Sequence, residues 1–530
     1  MRGTRAQEFG RFAAGSARLV LGGGRIYWAW MIFLAVLIAV GAFAYWRQLT
    51  IGLELTAMRD PVSWGFYIGN FTFMVGVAAA AVILVIPAYV YDWKPIREIV
   101  IFGELLAISA IVICMLLVMV DIGRPERFWH MIPLLGYLNF PNSLLAWDML
   151  VLNLYLAVNV TVVAHILYRA YAGRPYAKRL VVPLVLFSIP MAIGIHTVTA
   201  FLYNGLAARP YWNASILAPQ FLASAFSAGP AILLVMLQIL RRATRFEIRD
   251  EAIWKIAELM AYAIFLNLFL HGAEAFKEYY SNTEHLLHTR YWFQGLGEHR
   301  TLVPYAWTAV SLNLVALVLF LVPATRRNVI TLNIGCAATY AGCYIEKGMG
   351  LIIPGFTPST LGEIYVYVPT LTEVSVAAGI FALGFLLFTV LLKIAVPILL
   401  GEFRMGADPL EERTMRRPLT IAGAAGALLL LAATGAFAQD ATTDKGMKIF
   451  VEQKCTTCHA IAGKGNKKGA LDGVGSKLTP AQIREWIVDP EGMAKKTKPA
   501  PTRKPVMKKK PLAAGDVDAL VAMLSGLKKS

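Results

Sequence analysis

Two cysteines and a histidine near the carboxyl end of the chain have the spacing of a haem attachment site. Cys455 and Cys458 flank two threonines, and His459 follows the second cysteine directly. In this C-x-x-C-H pattern the two thiols add to the haem vinyl groups and the histidine binds the iron. A thioredoxin-like pair would need a βαβ context and a zinc site would need a second ligand pair, and the sequence shows neither. The motif therefore predicts one covalent c-type haem, with His459 as an iron ligand.

The segments around this motif resemble small class I cytochromes c. Gly446 and Phe450 precede the motif as in the first helix of that family, and a terminal helix is expected over residues 517–527. The resemblance implies a methionine upstream of the last helix as the sixth iron ligand, and Met507 stands in that place. Met493 is the reserve candidate, and packing is the alternative role for both. A methionine ligand raises the haem potential, and a single haem passes one electron at a time.

A helix is also predicted between the haem motif and the terminal helix. Thr479 and Gln482 form a capping-box pattern, and Pro480 occupies the first helical position. This helix should begin after Thr479 and continue through Trp486. The tail is therefore expected to be a small all-α domain.

The preceding four hundred residues have the composition of a membrane protein. Of the 530 residues in the chain, 57% are hydrophobic and only 16% are charged. A helix needs about 20 apolar residues to cross the hydrocarbon core of a bilayer. Ten segments qualify: 26–46, 64–91, 99–120, 144–167, 180–202, 217–240, 253–276, 302–322, 329–350 and 374–400.

An eleventh apolar segment, residues 420–438, has two interpretations. It is rich in alanine and glycine, and it would serve as an anchor helix if it is retained. Alternatively, Arg416 and Arg417 form a charged start and Ala436 and Ala438 a small-residue cleavage site, as in a signal peptide. Both interpretations export the tail.

The distribution of basic residues predicts the orientation of these spans. With a cytoplasmic amino terminus, the inner segments contain 22 Lys or Arg residues and the outer loops contain 8. Cytoplasmic segments are the ones enriched in these residues. We therefore expect a multi-pass protein of a bacterial inner membrane, with the cytochrome domain on the outer, periplasmic side.

Several polar side chains lie at a similar depth near the outer ends of the second to fifth spans. Ionisable groups inside membrane helices are costly, so each is a functional hypothesis by default. Because the four spans are antiparallel neighbours, their side chains can converge on one pocket of a four-helix bundle. The candidates are Tyr67, Asn70, Asp121, Asp148 and His196, with Trp64 and Trp147 as aromatic walls. For each residue taken singly, a helix–helix hydrogen bond or an interfacial anchor remains the alternative.

Such a pocket would suit the oxidation of a quinol. The reaction needs hydrogen-bond partners for two ring oxygens and bases that accept two protons. Asp148 has the right depth for a base, and His130 lies in the adjoining outer loop. These two residues are the expected proton acceptors, while Tyr67, Asn70 and His196 would position the ring.

A second polar cluster is expected at the outer ends of later spans. His271 and Glu274 belong to the seventh span, and Glu346 and Lys347 to the ninth. The cluster has two interpretations, a second pocket and a structural ion pair.

The carboxyl-terminal tail is strongly basic. After Asp440 it contains 18 Lys or Arg residues against 8 Asp or Glu residues, which gives +10 of the net charge of +17. Nucleic-acid binding is disfavoured because the tail lacks the interleaved aromatic residues that stack on bases. A dense cationic stretch instead favours an acidic electron-transfer partner on the outer side, with anionic lipid as the alternative.

Residues 20–405 resemble the NrfD, or polysulfide reductase, membrane subunit family. The similar motifs are Trp64-Gly65 with residues 67–71, Asp121 with Gly123-Arg124-Pro125, Trp147-Asp148, residues 196–198, and residues 346–373. The last stretch is most similar to the ten-helix branch that includes DsrP and HmcC. The resemblance implies an outer-side quinone site to which Asp121 and Arg124 contribute, no cofactor in the membrane part, and an iron-sulphur partner subunit.

Together these features predict an all-α protein in three parts. Residues 1–405 would form a quinone-interacting membrane bundle, residues 406–440 a linker with an anchor or signal-like helix, and residues 441–530 a monohaem cytochrome c domain. The expected function is that of a respiratory membrane subunit that oxidises quinol and exchanges electrons with the haem, an iron-sulphur subunit, or both. A secondary transporter and a haem b protein, each with an appended cytochrome, are the alternatives.

Overall fold

The structure is a computed structural model that describes residues 5–132, 135–405, 446–461, 464–466, 469–496, 512 and 514–527. It divides the chain into two units, residues 1–430 and residues 431–530. The predicted linker, including the eleventh apolar segment, lies outside the described residues, and so does Met507.

All ten predicted spans form helices in the first unit, which confirms the all-α membrane architecture. They are α1 (Arg25–Ile51), α2 (Phe66–Val90), α3 (Val100–Asp121), α4 (Leu144–Tyr171), α5 (Lys178–Asn204), α6 (Leu217–Ala243), α7 (Asp250–Ser281), α8 (Val303–Leu321), α9 (Val329–Lys347) and α10 (Leu371–Leu399). Among the described helices, nine are long and apolar enough to cross a membrane. The tenth is α9, which is less apolar because it carries Asn333, Glu346 and Lys347.

Shorter helices connect these spans. The first is an amino-terminal helix, Arg5–Leu21, whose Leu19 packs with Tyr171, Ile398 and Phe403. The others are Leu53–Leu55, Lys94–Arg97, Pro125–Met131, Pro210–Trp212, His285–Phe293, Pro323–Arg327 and Met349–Phe356.

The membrane helices pack as two closed rings of four. In the first bundle α2 contacts α3, α3 contacts α4, α4 contacts α5, and α5 contacts α2. In the second bundle α6 contacts α7, α7 contacts α8, α8 contacts α9, and α9 contacts α6. The two bundles meet through contacts of α6 with α2 and α5 and of α9 with α2, while α1 pairs with α10 and α10 lies against α3. Each bundle therefore encloses its own interior.

Small residues allow close approach where helices cross. A Cβ atom placed on Gly41 of α1 would lie 2.7 Å from the Cα atom of Gly379 in α10. A Cβ atom on Gly229 of α6 would lie 2.3 Å from the Cβ atom of Ala80 in α2. Since lipid tails are as apolar as the side chains, close packing of this kind is a main source of helix association in membranes.

Helix α2 is irregular in its second half. Residues Ala79–Ala81 form a 3-10 turn, Val82–Val85 return to α-helix, and Ile86–Val90 form a π-helical turn that contains Pro87. Proline lacks the backbone N–H of a regular helix, and π turns commonly occur at such interruptions. The first half of α2, which carries the predicted site residues, remains regular from Phe66 to Ala78.

The start of α10 is tied to the loop before α2 by a buried carboxylate. Glu373 accepts hydrogen bonds from the backbone N–H of Ala57 at 2.9 Å and of Thr370 at 2.8 Å, and from the hydroxyl of Tyr367. The Tyr367 hydroxyl oxygen in turn accepts from the backbone N–H of Phe66 at 2.8 Å. Thr370 and Glu373 also form a capping box, so this single side chain fixes two chain segments.

The second unit is a small helical domain. Its helices are α11 (residues 446–452), α12 (Pro480–Val488), α13 (Pro490–Lys496) and α14 (Ala514–Gly526), with strands β1 (Ala460–Ile461) and β2 (Lys464–Gly465). The predicted capping box at Thr479 and Gln482 is confirmed.

Gly446 lies where helices α11 and α14 of the second unit cross closely. A Cβ atom on Gly446 would lie 2.4 Å from the Cβ atom of Met523. Its absence lets α11 lie directly on α14, where Phe450 joins a buried core with Ile483, Leu520 and Leu524.

Candidate functional site

A cavity of about 440 Å³ lies inside the first bundle. It occupies the half of the bundle where α3 ends and α4 begins, which we call the Asp121 end. The lining comes from α2, α3, α4 and α5 and from the short helix Pro125–Met131, and it is mostly Leu, Ile, Val, Met and Phe. This volume lies within the range of small-ligand sites, which are mostly apolar with a few placed polar groups.

Two carboxyl groups line this largely apolar cavity. They belong to Asp121 at the end of α3 and Asp148 one turn into α4. Asp148 is 3% exposed, and its Oδ1 is 2.7 Å from the hydroxyl of Thr199 on α5, which is also 2.7 Å from the carbonyl of Ile195. The Oδ1 atom of Asp121 is buried and has no hydrogen-bond partner among the described residues. A buried polar atom without a partner is costly, so it indicates a place for a ligand or a water molecule.

Aromatic side chains close one side of the cavity. Trp64 and Tyr203 line it, with ring centroids 5.5 Å apart in an edge-to-face arrangement. Behind them, Trp212 stacks on Trp64 at 6.0 Å, and its indole N–H donates to the carbonyl of Leu351 at 2.9 Å. The Tyr203 hydroxyl is hydrogen-bonded to that of Thr72. This wall is therefore rigid and offers flat faces to a ring-shaped ligand.

Tyr67 lies beside the cavity lining, not in it. Its hydroxyl donates to Oε1 of Gln48 at 2.6 Å, and the amide of Gln48 donates to the carbonyl of Val120 at 2.7 Å. Val120 directly precedes Asp121, so Tyr67 and Gln48 fix the end of α3. The arrangement makes Tyr67 a support for Asp121.

Asn70 and His196 are also buried outside the lining. Asn70 donates to the carbonyl of Phe66 at 2.7 Å and accepts from the hydroxyl of Tyr344 on α9 at 3.0 Å, which joins the two bundles. Nδ1 of His196 is 2.8 Å from the carbonyl of Ala192, one turn earlier in the same helix. Its buried Nε2 has no partner among the described residues.

Three further candidates lie at the surface of the Asp121 end. The Trp147 indole donates to the carbonyl of Pro141 at 2.9 Å. Arg124 is 74% exposed and forms an ion pair with Glu126 at 3.3 Å. His130 is exposed and packs against Trp129. The short helix that carries His130 does reach the cavity through Phe128 and Met131.

Two residues that support the carboxyl groups were absent from the sequence-based prediction. Thr199 holds Asp148, and it lies three residues after His196, on the same helix face. Gln48 holds Tyr67, and it is a polar side chain within a long apolar segment. The polar character of both residues is visible in the sequence, but the sequence does not show which side chain each one contacts on a neighbouring helix.

The second unit presents the haem motif on a short 3-10 helix, Cys455–Thr457. Cys458 is exposed and Cys455 is half-buried, and the loop brings His459 beside strand β1. Nδ1 of His459 is 3.2 Å from the carbonyl of Gly469. A hydrogen atom on Nδ1 donated to this carbonyl makes Nε2 the nitrogen that ligates a metal, as in most metal-binding histidines. The residues therefore fit a covalent haem. Met493, the reserve methionine, is buried in the middle of α13.

The helical bundle and the haem-binding motif together define a multi-pass membrane redox protein. Comparisons with known proteins identify the family. The model for the NrfD polysulphide reductase family matches residues 54–358, and the cytochrome c model matches residues 443–528. The chain belongs to the NrfD polysulphide reductase family and carries a cytochrome c domain at its carboxyl end.

Similar proteins occur among the membrane subunits of several oxidoreductases. The membrane subunit of a provisionally named dimethyl sulfoxide reductase of Halobacterium salinarum is 24% identical over 398 residues, or 68% of this chain and 88% of that protein. The integral membrane subunit of an Hdr-like menaquinol oxidoreductase of Archaeoglobus fulgidus is 23% identical over 69% of this chain and 93% of that protein. The integral membrane subunit of a menaquinone reductase of Nitratidesulfovibrio vulgaris is 27% identical over 19% of this chain and 24% of that protein.

Proposed function

We propose that this chain is the membrane subunit of a respiratory oxidoreductase and oxidises a quinol in the cavity of the first bundle. The observation that carries the proposal is the pair of buried carboxyl groups, Asp121 and Asp148, in a largely apolar cavity with an aromatic wall. Quinol is an apolar ring with two hydroxyl donors, so it matches two acceptors between flat apolar surfaces. Two relatives that act on menaquinol or menaquinone support the same class of substrate.

Proton transfer accounts for the placement of the carboxyl groups. Oxidation of one quinol yields one quinone, two electrons and two protons. Asp148, oriented by Thr199, accepts the proton of one ring hydroxyl, and Asp121 accepts the hydrogen bond and then the proton of the other hydroxyl. The exposed His130, on the helix that closes the cavity, is the next acceptor toward water. Tyr67 and His196 act as positioning residues.

The two electrons leave toward a one-electron acceptor. Cys455, Cys458 and His459 hold the haem, and Met507 is the proposed sixth ligand. When bound, the haem supplies an acceptor whose potential a methionine ligand raises, which favours transfer away from quinol. An iron-sulphur subunit is an additional partner, and the basic tail suits an acidic electron-transfer partner.

The location proposed for this reaction is the outer side of a bacterial cytoplasmic membrane. The excess of basic residues in alternate loops supports a cytoplasmic amino terminus and, with it, an outer position for the Asp121 end. The cytochrome domain, which follows the membrane part, would then be periplasmic. Protons released from the cavity would enter the water on that side.

The test is the Asp148→Asn variant in membranes that contain the full complex. Because the amide of asparagine cannot take a proton, quinol-driven reduction of the haem should fall by about 100-fold, within the usual range for removal of a general base. Reduction of the haem by an artificial electron donor should be unchanged. The measurement is the rate of the haem absorbance change after quinol is added.

The matched control is Asn159→Leu on the same helix. Asn159 is 4% exposed, its amide donates to the carbonyl of Tyr155, and it does not line the cavity. Its replacement should leave the quinol-driven rate within about twofold. A normal rate in Asp148→Asn, with normal haem content, would remove Asp148 from the mechanism.

A further inference from the structure

The second bundle encloses a cavity of its own, of about 250 Å³. It is lined by α6, α7, α8 and α9 and lies at the Asp121 end, like the first cavity. Aromatic residues Trp292 and Phe293, from the short helix His285–Phe293, form one wall, and Trp292 is buried. The cavity therefore combines a flat apolar wall with the polar cluster on α7 and α9.

Two carboxyl groups and their partners line this second cavity. Glu346 of α9 is 3.1 Å from Nε2 of His271 and accepts a hydrogen bond of 3.1 Å from the amide of Asn267. Glu274 of α7 accepts a hydrogen bond of 2.6 Å from Gln220, which is 3% exposed. The sequence left a pocket and a structural pair as alternatives, and the structure contains both the pocket and a contact between His271 and Glu346.

The fourth residue of the cluster lies apart from the cavity. The Lys347 ammonium donates to the carbonyl of Phe221 at 3.0 Å and lies over its ring at 4.4 Å. The partners of the Glu346 carboxyl group are therefore His271, Asn267 and Asn313.

A tyrosine and an orphaned amide oxygen complete the polar surroundings. Tyr211 lines the cavity from the loop before α6. Burial raises the pKa of Tyr211 above its usual value, and the nearby carboxyl groups of Glu274 and Glu346 add to the rise. Oδ1 of Asn267, a residue with 0% exposure, has no hydrogen-bond partner among the described residues.

The cavity also has a route to lipid. Gly272 of α7 lines it and is exposed, and a Cβ atom on Gly272 would meet no atom within 4 Å. On the same helix Phe269 and Phe276 are 59% and 72% exposed, as expected for side chains that face lipid tails. A lipophilic molecule can therefore enter from the bilayer beside Gly272.

We propose that the second cavity binds a quinol headgroup, separately from the first cavity, with Glu346 and Glu274 as acceptors for the two ring hydroxyls. The ring would lie against Trp292 and Phe293, and the isoprenoid tail would pass Gly272 into the lipid. The choice of quinol rests on the proposed function, because a quinol is the lipophilic diol that this protein would meet in its membrane. No oxidation is assigned to this second site.

The test is photolabelling of the full complex in membranes with an azido-substituted quinone that has been reduced to the quinol. We expect label on two peptides, one covering residues 145–156 in the first cavity and one covering residues 268–275 in the second. An excess of unlabelled quinol should remove both labels, and an isoprenoid alcohol of the same tail length should remove neither.

Variants separate the two sites. Gly272→Leu would fill the entrance without a clash, and Glu346→Gln would remove a charged acceptor. Each should lower the label on residues 268–275 by about tenfold and leave the label on residues 145–156 unchanged. Gly194→Leu is the control, since Gly194 on α5 also has open space around a Cβ atom and lines neither cavity.

The outcomes distinguish this proposal from the proposed function. Label on residues 145–156 alone, or label on residues 268–275 that the isoprenoid alcohol removes equally well, would overturn the second site. Label on residues 268–275 alone would retain the second site and count against quinol oxidation in the first cavity.

Discussion

At the scale of single residues, the two carboxyl groups of the first cavity are held in position by neighbouring side chains. Asp148 is oriented by Thr199 across the α4–α5 contact, and the end of α3 at Asp121 is held by Tyr67 through Gln48. The carboxyl groups could be identified from the sequence because charged residues within apolar segments are conspicuous. Thr199 could not, because threonine is ordinary in membrane helices and only the packing of α5 against α4 gives it this role.

The role of Thr199 predicts the effect of its replacement. Thr199→Val removes the hydroxyl that donates to Asp148 but keeps the shape of the side chain. A hydrogen bond to a charged group contributes about 1.5–3 kcal/mol, so the quinol-driven rate of haem reduction should fall by about 10-fold or more. Thr199→Ser, which retains the hydroxyl, should restore most of the rate.

Thr197→Val is the control for this prediction. Thr197 is on the same helix, but its hydroxyl donates to the carbonyl of Ile193 at an exposed position. The two threonine variants should therefore differ clearly in rate. Equal rates for Thr199→Val and Thr197→Val, at equal haem content, would show that Thr199 does not orient the base.

At the scale of elements, hydropathy predicted where the helices lie but not how they are arranged. Each span is long and apolar, so its position could be read from the sequence. The closure of α2–α5 and α6–α9 into two rings depends on close contacts such as Gly229 against Ala80, which no single segment reveals. The sequence also did not reveal that Asn70, predicted as a quinone-binding residue, lies where α2 meets α9 and accepts a hydrogen bond from Tyr344.

Replacement of the carboxylate at the start of α10 should lower the stability of the folded protein. Glu373 is fully buried, and its two oxygens accept hydrogen bonds from backbone and side-chain donors on two segments. In Glu373→Gln, one of the two carboxylate oxygens is replaced by an amide NH2 group. This group donates hydrogen bonds, so it would face the N–H and O–H donors that the carboxylate now accepts from. We expect a loss of about 1–3 kcal/mol, seen as a lower midpoint of thermal unfolding in detergent.

Glu363→Gln provides the comparison, because Glu363 is exposed in the loop before α10. A surface change of this kind should alter stability by less than about 0.5 kcal/mol. If both variants unfold at the same temperature as the parent protein, the buried carboxylate does not tie α10 to the loop before α2.

At the scale of the whole molecule, the chain joins a membrane bundle to a cytochrome c domain. The haem motif was predictable because five consecutive residues specify it, and His459 keeps the expected histidine geometry in the structure. The transporter alternative assigns no role to a haem domain, whereas quinol oxidation requires an electron acceptor. Fusion of the two parts therefore favours redox chemistry in the membrane part.

The most direct test of quinol oxidation by this protein is anaerobic titration of the purified full complex with quinol while the absorbance of the c-type haem is recorded. Since each quinol yields two electrons and each haem accepts one, we predict that quinol reduces the haem completely, with at least one quinol consumed for every two haems. A haem that ascorbate reduces but quinol does not, in complex that retains its subunits, would contradict quinol oxidation by this protein.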